Sequence, residues 1–449
     1  MPAERSCPPT SRSTVRRLLI GVASLLLAGA SHGQSLLELY ALARGYDATY
    51  LAARALADSA QYKAAQADAL RRPNVSLASA LTRSESEPPS GHRTGNTASA
   101  TVTAKQPLFN RSNAATIDQA YKALEVAQAD LETAEQDLIV RVSQAYFDVL
   151  GAQDTLAFTR ASKTAITEQL AAAKRNFEVG TATITDTREA QARFDLATAQ
   201  EIAAENDLRT KRAALDQLVG RANVEPKPLA APVALPPLAI GDAEQWVGRI
   251  GTHPNVRKSL LNFDIAKLET DKARAGHLPV VDLVGTLGSA NRRGSEVAAT
   301  GSSPGVTNSA TLGVQLSVPL YAGKSIQNRV RETLLLEEKS RNDLEFAQRG
   351  AALATRQAFL NVQSGQAQVK AFEAAESSSQ LALEATQLGY KVGVRVNLDV
   401  LNAQTQLFQT RRDLAKARYD LLVGSLRLRQ AAGQLKPEDL PAVDQLLAK

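Results

Sequence analysis

The sequence predicts a mainly α chain that carries part of a membrane β-barrel, built from one unit of two strands and a long helical hairpin written twice. Three observations predict it. First, residues 112–178 and 324–391 run without proline in a helical pattern. At 1.5 Å per residue each is a rod of about 100 Å, which no compact domain needs. Second, four shorter stretches alternate in strand fashion. Third, the second half echoes the first at one constant offset: Val179-Gly180 falls on Val392-Gly393, Asp186 on Asp399, Ala190-Gln191 on Ala403-Gln404, and Gly220 on Gly433.

Composition agrees with long helices rather than one thick core, with 4% aromatic and 22% charged residues. Residues 1–30 read as a secretory signal. Arg12, Arg16 and Arg17 precede the apolar run Leu18–Leu27, and Ala28-Gly29-Ala30 offers a cleavage site, with cutting after Gly33 as an alternative. That run is shorter than the ~20 residues of a spanning helix. Removing it takes away four Arg and one Glu, which lowers the formal charge from +6 to about +3. A mature chain so close to neutral has no electrostatic case for nucleic acid. The single cysteine, Cys7, lies inside the signal, so no disulfide or thiol chemistry is expected. Position 30 is Ala where a lipid anchor would need Cys.

The first repeat spans 34–220. A helix is expected over Ser35–Arg72, ended by Pro73. Strands follow at about 73–83 and 97–109, separated by a polar loop, and then the hairpin 112–220. Its long arm shows the seam Ile117, Ala120, Leu124, Ala127, Leu131, Ala134, Leu138. Its short arm answers with Thr187, Ala190, Phe194, Ala197, Glu201, Ala204, Leu208. Alternating large and small residues let neighbouring helices approach closely. The first helix and the short arm together nearly equal the long arm, so two short helices stacked end to end could lie beside one long one. Residues 221–241 form a linker with five prolines. The second repeat, 242–433, runs in the same order: a helix over Asp242–His277, strands at about 279–288 and 308–321 around a Gly/Ser-rich loop, and the hairpin 324–433. A polar tail, 434–449, ends the chain. Trp246 reads as packing in a central belt, and Arg292-Arg293 as surface loop.

Strands of ten to thirteen residues are close to the 9–11 that cross a bilayer when tilted. Four cannot close a barrel, for which eight is the minimum, and open sheet edges are not tolerated in lipid. Several copies must share one barrel. Two would supply eight strands and three would supply twelve, and the spacing alone does not choose. A soluble hairpin pair packed on helices is the other reading of these strands.

Tyr390-Lys-Val-Gly-Val-Arg-Val-Asn-Leu-Asp-Val-Leu-Asn-Ala403, Leu-Ala-Lys-Ala-Arg-Tyr-Asp-Leu-Leu at 414–422, Arg175-Asn-Phe-Glu-Val-Gly180 and Ile184-Thr-Asp186 resemble the TolC family of outer-membrane channel-tunnels. So does the duplicated plan, and the resemblance covers essentially the whole mature chain. It implies a homotrimer, with a twelve-stranded outer-membrane barrel continuous with a twelve-helix periplasmic tunnel. A mixed belt would include the linker and the tail. It further implies a passive exit duct for proteins or small toxic compounds, docked to a periplasmic adaptor and to an ABC or proton-driven inner-membrane transporter, without a cofactor or metal.

In that family the periplasmic end is closed by inward-coiled helices pinned near the tips. The matching positions are Thr185, Asp186, Tyr390 and Arg395. An Arg with five fixed donors suits a bridge to Asp186, and exposed pairs of about 0–1 kcal/mol suit a latch that opens. Two acidic positions one turn apart ring the family's constriction. Asp399 matches the first, and Asn402 replaces the second. Three carboxylates about 6 Å apart repel by roughly 1–3 kcal/mol per pair, so a cation-preferring pore is expected, with weaker divalent block than two acids would give. The tips Val179-Gly180-Thr181 and Val392-Gly393-Val394 are the implied adaptor contacts. An enzyme has no support, because His32, His92, His253 and His277 are scattered and no hydrolase or phosphate-loop motif occurs. The rival reading is a periplasmic adaptor, which would carry one hairpin rather than two.

Overall fold

The computed structural model describes residues 33–89, 91–181, 183–230, 241–295 and 304–448. The expected signal and most of the linker prolines lie outside them. Helices α1 (Leu36–Tyr46) and α2 (Ala48–Asp68) precede strands β1 (Asn74–Ser86) and β2 (Arg93–Phe109). The long helix α3 (Arg111–Glu178) then turns into α4 (Ile184–Val219). In the second half, α5 (Ala243–Val247) and α6 (Pro254–Ala275) precede β3 (Val280–Arg293) and β4 (Gly305–Ser317). After them come α7 (Ser325–Lys391), α8 (Asn397–Ala431) and the short α9 (Leu440–Asp444). Both long arms are single unbroken helices, of 68 and 67 residues. Helix α3 is flanked by α2 over one part of its length and α4 over another, and α7 by α6 and α8.

Several boundaries differ from the sequence reading, each for a local reason. The first helix is broken at Asp47, whose carboxylate accepts from the Tyr50 N–H at 2.8 Å and takes both Arg141 Nη atoms at 2.9 Å. An aspartate that caps a new helix and anchors a bidentate arginine ends the old one. The helix expected over 242–277 is interrupted by Gly248, Gly251 and Pro254, the last opening α6 at its first turn. The strands run further than expected at their far ends, pairing to Ser86–Arg93 and to Arg292–Gly305. Ladder hydrogen bonds do not require side-chain alternation, so Ser-, Thr- and Gly-rich sequence read as loop is strand. Arg292 and Arg293 therefore close β3 rather than sitting in a loop, while Leu320 and Tyr321 fall beyond β4. The tail is not simply polar: Leu435, Leu440, Val443 and Leu447 are buried, and Asp444 Oδ1 accepts from the first N–H of α1 at 2.9 Å.

The four strands form one antiparallel sheet in sequence order. Pro107, which has no N–H for the ladder, sits at its register shift. Pairing sorts the side chains into two faces. One carries the rows Leu77–Val102–Leu287–Ala310 and Val75–Ala104–Gly285–Leu312, with Leu283–Val314 and Val281–Leu316 below. The other carries Ser76–Thr103–Thr286–Thr311 and Ala78–Thr101–Gly288–Ser309, with the Lys105–Asp282 ion pair (2.8 Å) at the helix end. An aliphatic face and a hydroxyl face are what lipid and a watery lumen demand. Among the described residues β1 and β4 each have one unpaired edge, and β4 is exposed along its whole length.

The largest core lies midway along the rods. Tyr146, Phe147, Leu150 and Leu138 of α3 meet Leu36, Leu39 and Tyr40 of α1, Leu215 and Val219 of α4, Leu422, Val423 and Leu426 of α8, and the buried tail leucines. The Tyr146 hydroxyl donates to the Lys227 carbonyl at 2.8 Å, and Trp246 packs beside Phe359 and Leu428 in a neighbouring cluster. The glycines matched between repeats, Gly220 and Gly433, end α4 and α8 in left-handed conformation. A Cβ there would strike the Tyr46 ring and the His253 backbone respectively, so the belt closes on bare backbone twice.

Asp154 of α3 lies within this belt and accepts from the Tyr419 hydroxyl at 2.6 Å. Burial raises its carboxyl above the ordinary value, against the opposing pull of the hydrogen bond. A carboxyl raised in the folded state contributes stability that is full below its unfolded value and is lost as pH climbs through its folded one. Asp154→Asn keeps an acceptor for Tyr419 and cannot ionise. Its melting temperature should exceed that of the native protein at pH 7, and the gain should vanish below about pH 4. A variant less stable at pH 7 would contradict this.

Candidate functional site at the hairpin tips

Both tips are built alike. In the first, the Val179 N–H reaches the Arg175 carbonyl at 3.1 Å and the Thr181 N–H reaches the Asn176 carbonyl at 2.8 Å. In the second, Val392 reaches Leu388 at 3.1 Å and Val394 reaches Gly389 at 2.9 Å. This closing pattern needs a left-handed residue, supplied by Gly180 (φ 79°) and Gly393 (φ 80°). Among the described residues, beyond the adjoining ones, no group stands within 4 Å of where their Cβ atoms would be. Val179, Gly180, Thr181, Val392, Gly393 and Val394 are all exposed, and Val394 keeps 78% of its surface.

Past the turns the copies diverge. Thr183 caps α4, its hydroxyl accepting from the Asp186 N–H at 3.2 Å, while Asp186 returns a carboxylate to the Thr183 N–H at 2.9 Å. This reciprocal capping box occupies Asp186. At the matching position of the second tip stands Val396, which has no hydroxyl and makes no side-chain cap. Asp399 therefore has no box to close, and it meets Arg395 at 3.6 Å instead. Within the chain the bridge expected between Arg395 and Asp186 does not form: each has a nearer local partner. Thr185 is exposed, beside the box but not in it.

Towards the tips, two hydrogen bonds among the described residues join the hairpins to one another. Asn176 donates to the Tyr390 hydroxyl at 3.2 Å. Further up, Arg193 of α4 donates to the Asn402 amide oxygen at 2.7 Å, with Glu189 at 3.8 Å from the same guanidinium. Behind them small apolar clusters hold the arms: Ile166, Leu170, Ala173, Ala190, Ala197 and Leu401 in one, and Leu383, Val400 and Leu407 in the other. Arg193, Asn176 and Thr183 were not singled out in the sequence. Arg193 and Asn402 sit on different hairpins, so spacing within one hairpin cannot pair them.

Part of a barrel wall, continuous with two hairpins about 100 Å long that end in narrow polar tips, defines a class of protein: an outer-membrane exit duct. A family model described as Outer membrane efflux protein matches residues 39–221 and 250–434, and the chain belongs to that family. Among relatives, outer membrane protein TolC of Vibrio cholerae is 33% identical over 433 residues, 95% of this chain and 97% of that protein. The alkaline protease secretion protein AprF of Pseudomonas aeruginosa is 33% identical over 346 residues, 76% of this chain and 71% of that one. In fold, the solved structure of the outer membrane protein VceC from Vibrio cholerae matches with a TM-score of 0.75 at 20% identity, covering 89% of this chain and 96% of that one.

The Arg193–Asn402 bond is charge-assisted but exposed, and is worth about 1 kcal/mol. Asn402→Ala should speed amide exchange around Asn397–Leu407 about fivefold. Unchanged exchange there would show that the bond holds nothing.

Proposed function

We infer that three copies close one twelve-stranded barrel in the outer membrane, and that their hairpins form a twelve-rod tunnel reaching into the periplasm. Export from an inner-membrane transporter would pass through it, with a periplasmic adaptor meeting the tips. The observation that carries this reading is the sheet: an aliphatic face, a hydroxyl face and two unpaired edges, β1 and β4. Edges open to lipid require a partner strand. Eight strands enclose a space that side chains fill, so two copies would make a plug, whereas three leave a passage lined by Ser and Thr. A periplasmic adaptor needs neither this sheet nor a second hairpin.

The tips supply the gate. Tyr390, Asp186, Thr185 and Arg395 are the closing contacts, the last two reaching between copies once the tips draw together. Asp399 and Asn402 line the constriction. Arg395 holds Asp399 only at 3.6 Å on an exposed surface, so it offsets the acid weakly, and a ring of three aspartates favours cations. The bare valines beside each turn are the surface an adaptor hairpin would cover. Proteins and small toxic compounds are both candidate cargo, and either an ABC or a proton-driven transporter fits behind the adaptor.

Three measurements bear on this. Cysteines placed on the β1 and β4 edges should cross-link into a ladder that stops at three chains, and a ladder ending at two would overturn the assembly. In planar bilayers Asp399→Ala should lose cation preference while Arg395→Ala should raise it; anion selectivity in the native pore would remove the acidic ring. Bulky replacements at Gly180 and Gly393 cost roughly 1–2 kcal/mol each in strain and meet no neighbour within the chain. They should stop export while trimers persist, and loss of trimers would make the glycines folding elements instead.

A further inference from the structure

The aliphatic face of the sheet ends in a cationic row. Register places Arg83 of β1 opposite Asn96 of β2, and Asn96 opposite Arg293 of β3. The row below is Leu81–Ala98–Asn291–Val306, in which Leu81 keeps 88% of its surface. Alternation puts Arg83, Asn96 and Arg293 on the same face as Leu81 and Leu77, the face turned to lipid. Arg292, one residue earlier, belongs to the hydroxyl face.

The height of this row is informative. At the helix end of the same face Phe109 stands opposite Val281, with the exposed Leu320 and Tyr321 beyond β4 marking that end. Twelve residues separate Val281 from Arg293, about 41 Å along a strand and about 31 Å of height at a tilt near 40°. That matches a hydrocarbon core of about 30 Å. The row thus lies where acyl chains give way to headgroups on the far side from the helices. Barrels usually mark this level with aromatic residues. Here no Phe, Tyr or Trp occurs from 74 to 108 or from 280 to 317, and two arginines occupy it.

A shallow hollow of about 350 Å³ opens among Leu81, Arg83, Asn96, Asn291 and Arg293. Glu85, one row further out, takes Arg83 through Nε at 3.0 Å and Nη2 at 2.8 Å, which leaves Nη1 without a carboxylate. Arg293 has no carboxylate partner among the described residues. Among the described residues this row and Glu85 together carry one net positive charge, and two planar donor groups with an amide between them suit a phosphate monoester. Leu81 below suits its acyl chain.

We propose that Arg83, Asn96 and Arg293 form a binding site for the phosphorylated headgroup of an outer-leaflet glycolipid. Its acyl chains lie down the Leu81 and Leu77 rows, and three such sites surround each barrel. The site concerns the barrel's seat in the membrane and is read independently of export, so its failure would leave the duct and its gate untouched.

The full mature protein is reconstituted in phosphatidylcholine vesicles doped with bisphosphorylated lipid A and repurified, and retained lipid A is quantified by mass spectrometry. The native protein should retain at least fivefold more than the double variant R83Q/R293Q, and R83K/R293K should fall between them. Single-channel conductance reports an intact barrel in each. Equal retention by R83Q/R293Q overturns the proposal. In a second arm, millimolar inorganic phosphate is added before repurification. Undiminished retention supports a lipid site, whereas displacement would make it a site for free phosphate and overturn the lipid assignment.

Discussion

In hydrocarbon there is no water to satisfy an unpaired peptide group, and that one constraint shapes the whole molecule. A four-stranded sheet with open flanks is not a membrane structure by itself. The chain can therefore carry only part of a wall, and sister copies must supply the rest. Everything below the sheet follows from the same repetition. Two strands hand over to one hairpin, two more hand over to the next, and short helices stacked end to end fill the gaps beside the long ones. The belt core at mid-height is where this stacking has to be stitched, so the largest buried side chains, Tyr146 and Phe147 among them, gather there rather than in the sheet or the tips.

Duplication also explains how the tips divide their labour. The two turns share a backbone design down to the carbonyls used, yet the residue three positions before the acid is Thr183 in one and Val396 in the other. With Thr183 present, Asp186 is absorbed into a capping box; with Val396 in its place, Asp399 is released. One hydroxyl decides whether the acid of the following turn is spent on the cap. Asn402 is likewise not idle, since it takes the Arg193 guanidinium and ties one hairpin to the other.

Much of this was legible in the residues. Unbroken helical periodicity marked both rods to within a residue or two, because nothing in them competes with the helix. The tips were legible because the chain states them twice. Less visible were features decided by long-range contacts. The break at Asp47 depends on Arg141, nearly a hundred positions away. The outer ends of the strands are held by backbone ladders through Ser- and Gly-rich sequence that reads as loop. Within one chain Arg395 and Asp186 do not meet. Their local bonds, one to the next turn and one to a cap, were invisible to spacing. The tail read as polar because its buried leucines are thinly spread.

That tail has a consequence for how the protein is made. Helix α1 is the first of the described elements, yet the acceptor for its leading N–H is Asp444, 408 positions further along the chain. Leu440, Val443 and Leu447 complete the same pocket. A chain delivered from its N-terminal end leaves α1 unseated until Asp444 has followed it. The clasp between these two distant turns thus couples the seating of α1 to the arrival of the segment that carries Asp444.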